Sequence, residues 1–456
     1  MARKTSTDLT QGNIAKQLLL FALPILMGQV FQNLYNSVDS IVAGNFVGTT
    51  ALAAVTSSAD ISRLLVGFFT GLSAGSGVLF ARHFGAKDDK KLHDSIHTGL
   101  LFSLILGVTM ALTGILITPL LLKMVDCPAD VWTESVLYLR IYFVGVLFTA
   151  LYNVAAGVLR AVGDSRHPFY YLVIASCTNI ALDLLFVTVF QMGVAGVAVA
   201  TIISQFISVS LAVRQMLTAD DVYKLAVREL KIDKQILKEV LVLGLPAAIQ
   251  AGLISLSNLF VQRYINQFGS AAMAGSGAAK KIDSYAGMAA MSLGQATPAF
   301  IAQNMGAKKP ERAFRGLWTV VGMGLGAISV IGPIIYFNSG SFIRLFTKDP
   351  AAVAYGMAMI HIMLPLYGLQ VFHQIFSNAV RGFGKSLVVM FTSIGGLIVC
   401  RQIFLAVTMS KNPAIENVFW GYPVGWGCAA VMAVLYYLLA IRIPYGKIKK
   451  YSPSAK

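Results

Sequence analysis

The stretch Gly28-Gln-Val-Phe-Gln-Asn-Leu-Tyr-Asn-Ser-Val-Asp39-Ser-Ile-Val-Ala-Gly44 sits in a long apolar run whose only charged side chain between Lys16 and Asp60 is Asp39. A carboxylate within a membrane helix costs about 2.5–3.5 kcal/mol on insertion scales, so it marks a functional site and calls for a partner. The fifth apolar segment supplies one. There Asp183 is the sole charge between His167 and Arg214, and Asn179 precedes it by one helical turn.

Composition supports reading these runs as membrane spans. The chain has 456 residues, 56% hydrophobic and only 12% charged, with a mean hydropathy of +0.71. Soluble domains carry about a quarter charged residues. The net charge of +16 is spread over short loops, so it reports topology and not a nucleic-acid surface. Cys127, Cys177, Cys400 and Cys428 lie far apart without CxxC or His/Cys spacing and read as packing residues, which leaves no structural metal.

At about 20 apolar residues per span, twelve segments are predicted, at roughly 14–44, 51–80, 94–122, 131–159, 168–190, 193–216, 236–267, 271–303, 313–337, 352–380, 386–409 and 416–443. The fold class is an all-α polytopic membrane protein. Basic residues gather on alternate loops, for example Arg82, Lys87, Lys90 and Lys91, then Lys308, Lys309, Arg312 and Arg315. The other loops hold only Lys123, Arg344, Lys348 and Lys411. The positive-inside rule then puts both termini in the cytoplasm, which requires an even number of spans.

The polar stretch Leu217–Lys238 divides the chain into six-helix lobes, 1–217 and 236–456, joined by a linker at 218–235. The halves repeat. Leu23-Pro24 recurs as Leu245-Pro246, Phe84-Gly85-Ala86-Lys87 as Met305-Gly306-Ala307-Lys308, and Leu159-Arg160-Ala-Val-Gly163 as Val380-Arg381-Gly-Phe-Gly384, all 221–222 residues apart. Parallel six-helix repeats are typical of alternating-access transporters, with the site near the repeat interface.

The acids lie at one level. Asp39 is 6 residues before Asn45 and Asp183 is 8 before Gln191, roughly 9 and 12 Å below the outer boundary. Tyr35 shares a helix face with Asp39, Asn179 with Asp183, and Thr201 with Gln205. Two carboxylates with amide and hydroxyl oxygens suit a small cation. They suit a proton equally well, because desolvation and a neighbouring like charge hold one acid ready to load near neutral pH. Pro24 lacks a ladder hydrogen bond and Gly28 follows it, so α-helical bending is expected there as the site loads and empties.

Order and spacing of these motifs resemble the multidrug and toxic compound extrusion (MATE) transporters of the MOP flippase superfamily over essentially the whole chain. The resemblance rests on Leu-Pro early in helices 1 and 7, Asn179-x-x-x-Asp183, the Gly193–Gln205 stretch and Ala302-Gln303-Asn304-x-Gly306-Ala307. It implies a secondary antiporter exporting amphipathic or cationic organic compounds in exchange for H+ or Na+, without cofactor. Pro24, Tyr35, Asp39, Asn179, Asp183 and Thr201 stand at the matching positions. It further implies a monomer in the plasma (inner) membrane of a bacterium, with small organic molecules and the lipid bilayer as partners and no nucleic acid.

Cargo contacts are expected at Met27, Phe31, Gln205, Gln374 and Asn378. The second half does not repeat the acids, since Val261 and about Phe404 occupy the equivalent positions. Gly71-Leu-Ser73-Ala-Gly75 mimics a nucleophile elbow but lies inside a helix. Gly384-Lys385-Ser386 lacks the earlier glycine of a phosphate loop, with Ala379 there instead. Neither an enzyme nor an ATP-driven pump is therefore expected. The alternatives are a lipid or glycan-lipid flippase of the same superfamily, and a non-transporting scaffold or receptor.

Overall fold

The computed structural model describes residues 6–42, 49–124 and 127–446; within these, the side chains of 35–37, 39–42, 49–60 and 63 lie outside the description. Twelve long helices account for the fold, and no strand occurs among the described residues. They are α1 (Ile14–Val42), α2 (Thr49–Gly85), α3 (Asp89–Met124), α4 (Trp132–Ala161), α5 (Arg166–Val189), α6 (Gly193–Thr218), α7 (Lys234–Asn266), α8 (Ser270–Gly306), α9 (Pro310–Phe337), α10 (Pro350–Gly382), α11 (Ser386–Lys411) and α12 (Ile415–Gly446). Only helices satisfy all their backbone groups within one segment in hydrocarbon, which is why such apolar runs fold this way.

Eleven of the twelve are long and apolar enough to cross a membrane, counted over the described residues. The exception is α8, rich in Gly, Ala and Ser and carrying Lys280, Lys281 and Asp283. Lipid-facing stripes are plain elsewhere. On α3, Leu112, Leu116, Leu120 and Met124 are each more than half exposed and recur every fourth residue. A continuous apolar ridge of this kind belongs against acyl chains.

The duplication extends to helix ends and backbone geometry. Thr49 and Ser270 begin α2 and α8, and Gly85 and Gly306 end them, each pair 221 residues apart. Lys87 and Lys308, just past those ends, both have φ 56, and Gly163 and Gly384 both have φ 83. Only glycine enters that last region without strain, so the Arg-x-x-Gly repeat is a pair of identical turns. Helices also outrun the apolar residues: α2 reaches Gly85 where the sequence suggested 80, and α3 starts at Asp89 and not at 94. Charged, strong helix formers continue the hydrogen-bond ladder into water.

Some irregularities were not legible. Pro365 interrupts α10 with a 3-10 turn at Leu364–Leu366, and π-helical turns occur at Leu185–Val189 in α5, Gly395–Cys400 in α11 and Tyr437–Arg442 in α12.

The chain forms two compact units. One comprises Met1–Gly12, Leu19–Ala248 and Ala302–Lys309, the other Asn13–Leu18, Ile249–Ile301 and Pro310–Lys456. The first is built around Phe69, Leu139, Phe143, Val146 and Val197, and the second around Ile282, Ile343, Met359, Tyr367 and Phe419.

Candidate functional site

In the first unit, Asn179 and Asp183 share a face of α5 and are 1% and 0% exposed. Neither amide atom of Asn179 has a hydrogen-bond partner among the described residues. Asp183 lies two residues before the start of the π-helical turn at Leu185–Val189, a feature that recurs at functional sites. Against α5 runs α1. A Cβ on Gly28 would stand 3.3 Å from Leu172, and the Phe31 ring meets Phe169 edge-on at 5.9 Å. A methyl at Gly28 would therefore press on the Leu172 side chain, which would have to give by a few tenths of an ångström. Pro24 is inside α1, four residues before that contact, and Met27 is 39% exposed.

The side chains of Tyr35 and Asp39 lie outside the described residues, although the α1 backbone continues past both to Val42. On α6, which packs against α5, Thr201 donates to the carbonyl of Val197 at 3.0 Å and Gln205 is half-buried.

Ser73, the residue of the false nucleophile elbow, is a packing residue. Its hydroxyl donates to the Asn153 carbonyl, while Gly71 and Gly75 press against α7, where a Cβ would meet the Ala247 and Leu243 carbonyls at 2.6 and 2.2 Å. The small residues exist for helix contact.

In the second unit, Asn378 is buried and belongs to a network. It donates to the Gln374 carbonyl at 2.8 Å and accepts from Arg381 at 2.9 Å, while Arg381 also donates to Gln250 at 2.7 Å. Gln250 donates to Ser393 at 2.8 Å, and His373 lies 3.4 Å from the same hydroxyl. His361 stacks near Tyr336 and contacts Ser339 at 3.0 Å. Both histidines are therefore tied into packing. Gln374 sits beside Gly294, where a Cβ would come within 2.9 Å of its Cγ.

Sequence reasoning missed a third assembly, in the first unit on the side of the basic loops. Residues ahead of α1 form a strap. Thr7 donates its backbone N–H to Val162 at 2.9 Å, and Leu9 donates to Gln303 Oε1 at 3.0 Å. Gln303 Nε2 donates in turn to the Ala161 carbonyl at 2.7 Å, Asn304 to Leu9 at 3.3 Å and Lys309 to Thr10 at 2.9 Å. Beside the strap the ends of α2 and α8 touch backbone to backbone: a Cβ on Gly85 would stand 2.0 Å from Gln303 O, and one on Gly306 2.1 Å from Arg82 O. The Gly85/Gly306 and Arg82/Gln303 pairs are related by the repeat, so the contact is pseudo-symmetric. The available signal was the pair of repeated Gly-Ala-Lys endings.

Among the described residues, no group of three or more His, Cys, Asp or Glu is placed to hold a metal ion, and all four cysteines are free thiols.

The chain matches the MatE family model twice, over residues 24–185 and 246–407. It is 32% identical over 444 residues to the probable multidrug resistance protein YoeA of Bacillus subtilis, covering 94% of each chain. It is 21% identical over 441 residues to the multidrug export protein MepA of Staphylococcus saprophyticus, covering 96% of each. Among solved structures, a MATE in the bent conformation superposes with a TM-score of 0.91 at 22% identity over 100% of both chains. An outward-facing multidrug resistance MATE family transporter of the MOP superfamily gives 0.90 at 22% identity, covering 97% of this chain and 99% of that one. The doubled match falls on the same internal repeat that the helix ends and the paired glycine turns display, and the chain belongs to the MatE family of membrane transporters.

Proposed function

We propose that the protein exports amphipathic or cationic organic compounds in exchange for H+ or Na+, by alternating access of the lobes 1–217 and 236–456, with Asp39 and Asp183 as the coupling acids. The observation that carries this reading is the fully buried Asp183, one turn from the equally buried Asn179, in a membrane-spanning helix. A carboxylate there is costly unless it works. Relatives named for multidrug resistance and multidrug export support the choice of cargo.

Two features support pairing Asp39 with Asp183. First, α1 and α5 are separated by three spans and so run in the same direction, touching at Gly28 and Leu172. Asp39 and Asp183 each follow that contact by eleven residues, about 16 Å along either helix. Second, the repeat spacing, 222 before α2 and 221 after it, equates Asp39 with Val261 and Asp183 with Phe404. Val261 belongs to a fully buried apolar cluster with Ile265, Leu405 and Val418, and Phe404 packs against that cluster. The second half thus keeps the proximity and lacks the chemistry, consistent with a single cation switch.

Asn179 would add a neutral oxygen ligand, with the Tyr35 and Thr201 hydroxyls completing the site. Loading neutralises buried charge, so empty and loaded forms favour different packings of α1, bending at Pro24 and Gly28. Met27 and Phe31, with Gln205, would line the cargo path; Gln374 and Asn378 would do so only if their present network opens. In this reading the protein acts as a monomer in the bacterial plasma membrane with both termini cytoplasmic.

The test is dye efflux from vesicles reconstituted with the purified protein under imposed proton or sodium gradients. Asp39→Asn and Asp183→Asn are expected to abolish gradient-driven efflux while the protein still purifies folded. Unimpaired efflux in both variants would refute the site.

A further inference from the structure

We propose that Arg401 and Lys280 form an oxyanion-binding centre in the second half of the chain, which takes a carboxylate or phosphate group of an organic molecule. This centre goes beyond the cation switch, and it lies wholly within the second unit.

The repeat identifies the place. At the spacing of 221 residues that the helix ends and glycine turns keep, Arg401 stands next to Cys400, the counterpart of Asn179. The second half thus carries a permanent cation beside the place where the first half keeps an amide of the acid site. Arg401 is 4% exposed, and among the described residues it has no carboxylate partner. Its Nη2 donates to Ser257 Oγ at 2.6 Å and Asn258 Oδ1 at 3.1 Å, both neutral, and its Nε finds no acceptor among the described residues. The guanidinium also lies 5.6 Å from the ring centroid of Tyr422.

Charge bookkeeping leaves a surplus. Lys280 donates to Gln262 Oε1 at 2.7 Å, again a neutral acceptor, and feels both Arg401 and Asp283 electrostatically. Among the described residues Asp283 is the acid that acts on Lys280, and none acts on Arg401. A guanidinium left without a counterion in a membrane interior is expensive, and a bidentate oxyanion is the ligand its planar fork matches best. Access exists from the surface: Asn258, bonded to Arg401, is exposed, and so are Lys281 and Ser284 on α8. Counted from the charge-poor ends of α7 and α11, Gln262 and Arg401 lie roughly 6 and 15 Å inside. An acidic cargo group or an anionic headgroup can reach that depth.

The probes are a rhodamine dye with a free carboxyl group and its methyl ester, titrated by fluorescence anisotropy into the full-length protein in detergent. They differ only in the oxyanion. Wild type is expected to bind the acid about tenfold or more tighter than the ester, as charge-assisted hydrogen bonds allow. Arg401→Gln should bring that ratio close to one, and Arg401→Lys should keep part of it. Because Arg401 is buried, Lys280→Gln provides a second variant at a half-buried position, with a severalfold fall in the ratio. Competition by phosphatidylglycerol against the bound acid would identify a lipid headgroup as the source of the oxyanion. Failure to compete would identify the cargo's own acid group, and either result retains the centre. Equal affinity for acid and ester in wild type, or a ratio unchanged in both Arg401→Gln and Lys280→Gln, overturns it. The assay needs no ion gradient, so its failure is separable from failure of coupled efflux.

Discussion

Gly306→Ala is the sharpest perturbation of the packing described here. The added methyl would stand 2.1 Å from Arg82 O and 2.9 Å from Ala86 N, and ordinary contact begins near 3.4 Å. The ends of α2 and α8 must therefore part by about 1.3 Å, since the atoms met are backbone and cannot rotate away. Overpacking of this kind costs about 1–3 kcal/mol. Parting also pulls on Gln303 and Asn304, which hold Leu9, and each hydrogen bond lost adds about 1 kcal/mol. A total near 2–4 kcal/mol is expected. Gly277→Ala is the internal control. It lies in the same helix with nothing within 4 Å of its Cβ, and alanine gains about 0.8–1.0 kcal/mol of helix propensity. Thermal unfolding midpoints of the purified variants in detergent decide the matter. Gly306→Ala should lower the midpoint and Gly277→Ala should hold or raise it. Shifts of the same sign and size in both would refute the reading of the α2 and α8 contact.

Two further outcomes concern the strap ahead of α1. Gln303→Ala removes the acceptor of Leu9 N–H and the donor to Ala161, leaving buried backbone groups unpaired; a loss of about 2–4 kcal/mol is expected, with amide exchange at Leu9 rising before global unfolding. Asp8 gives a pH dependence. Burial alone would raise its pKa, but hydrogen bonds from Thr10 and Gln11, with Lys309 nearby, outweigh that and hold it below the usual carboxylate value. A depressed folded-state pKa contributes stability above the unfolded value that is lost as pH falls through the folded value. Protection of the Thr10 amide, which donates to Asp8 at 2.8 Å, should therefore persist at neutral pH and fade under acid conditions; Asp8→Asn should remove the pH dependence.

Much of the fold was readable because membrane insertion leaves few choices. Long apolar runs must be helices, and repeated Leu-Pro, Gly-Ala-Lys and Arg-x-x-Gly motifs show how often the pattern recurs. The π-helical turns were not readable, because they depend on packing of residues with no local signature. The acids at Asp39 and Asp183 announced themselves through isolation in apolar surroundings. Arg401 was not placed by that reading: its hydrogen-bond partners Ser257 and Asn258 come from a helix about 140 residues away, and no spacing rule joins them. Gln303 was visible only as part of a familiar ending. Its role requires a terminal segment to fold back across some 294 residues, a contact set by tertiary packing.

In the proposed exchange, cargo and coupling cation exclude one another through Asp39 and Asp183. The most direct measurement is cation release on cargo binding. A cationic dye is added to purified protein in weakly buffered, low-salt solution while pH and free sodium are followed. Wild type should release a proton or a sodium ion as the dye binds, and Asp183→Asn should bind dye without release. Equal release from both proteins, or dye binding by wild type with no cation released, would contradict the account.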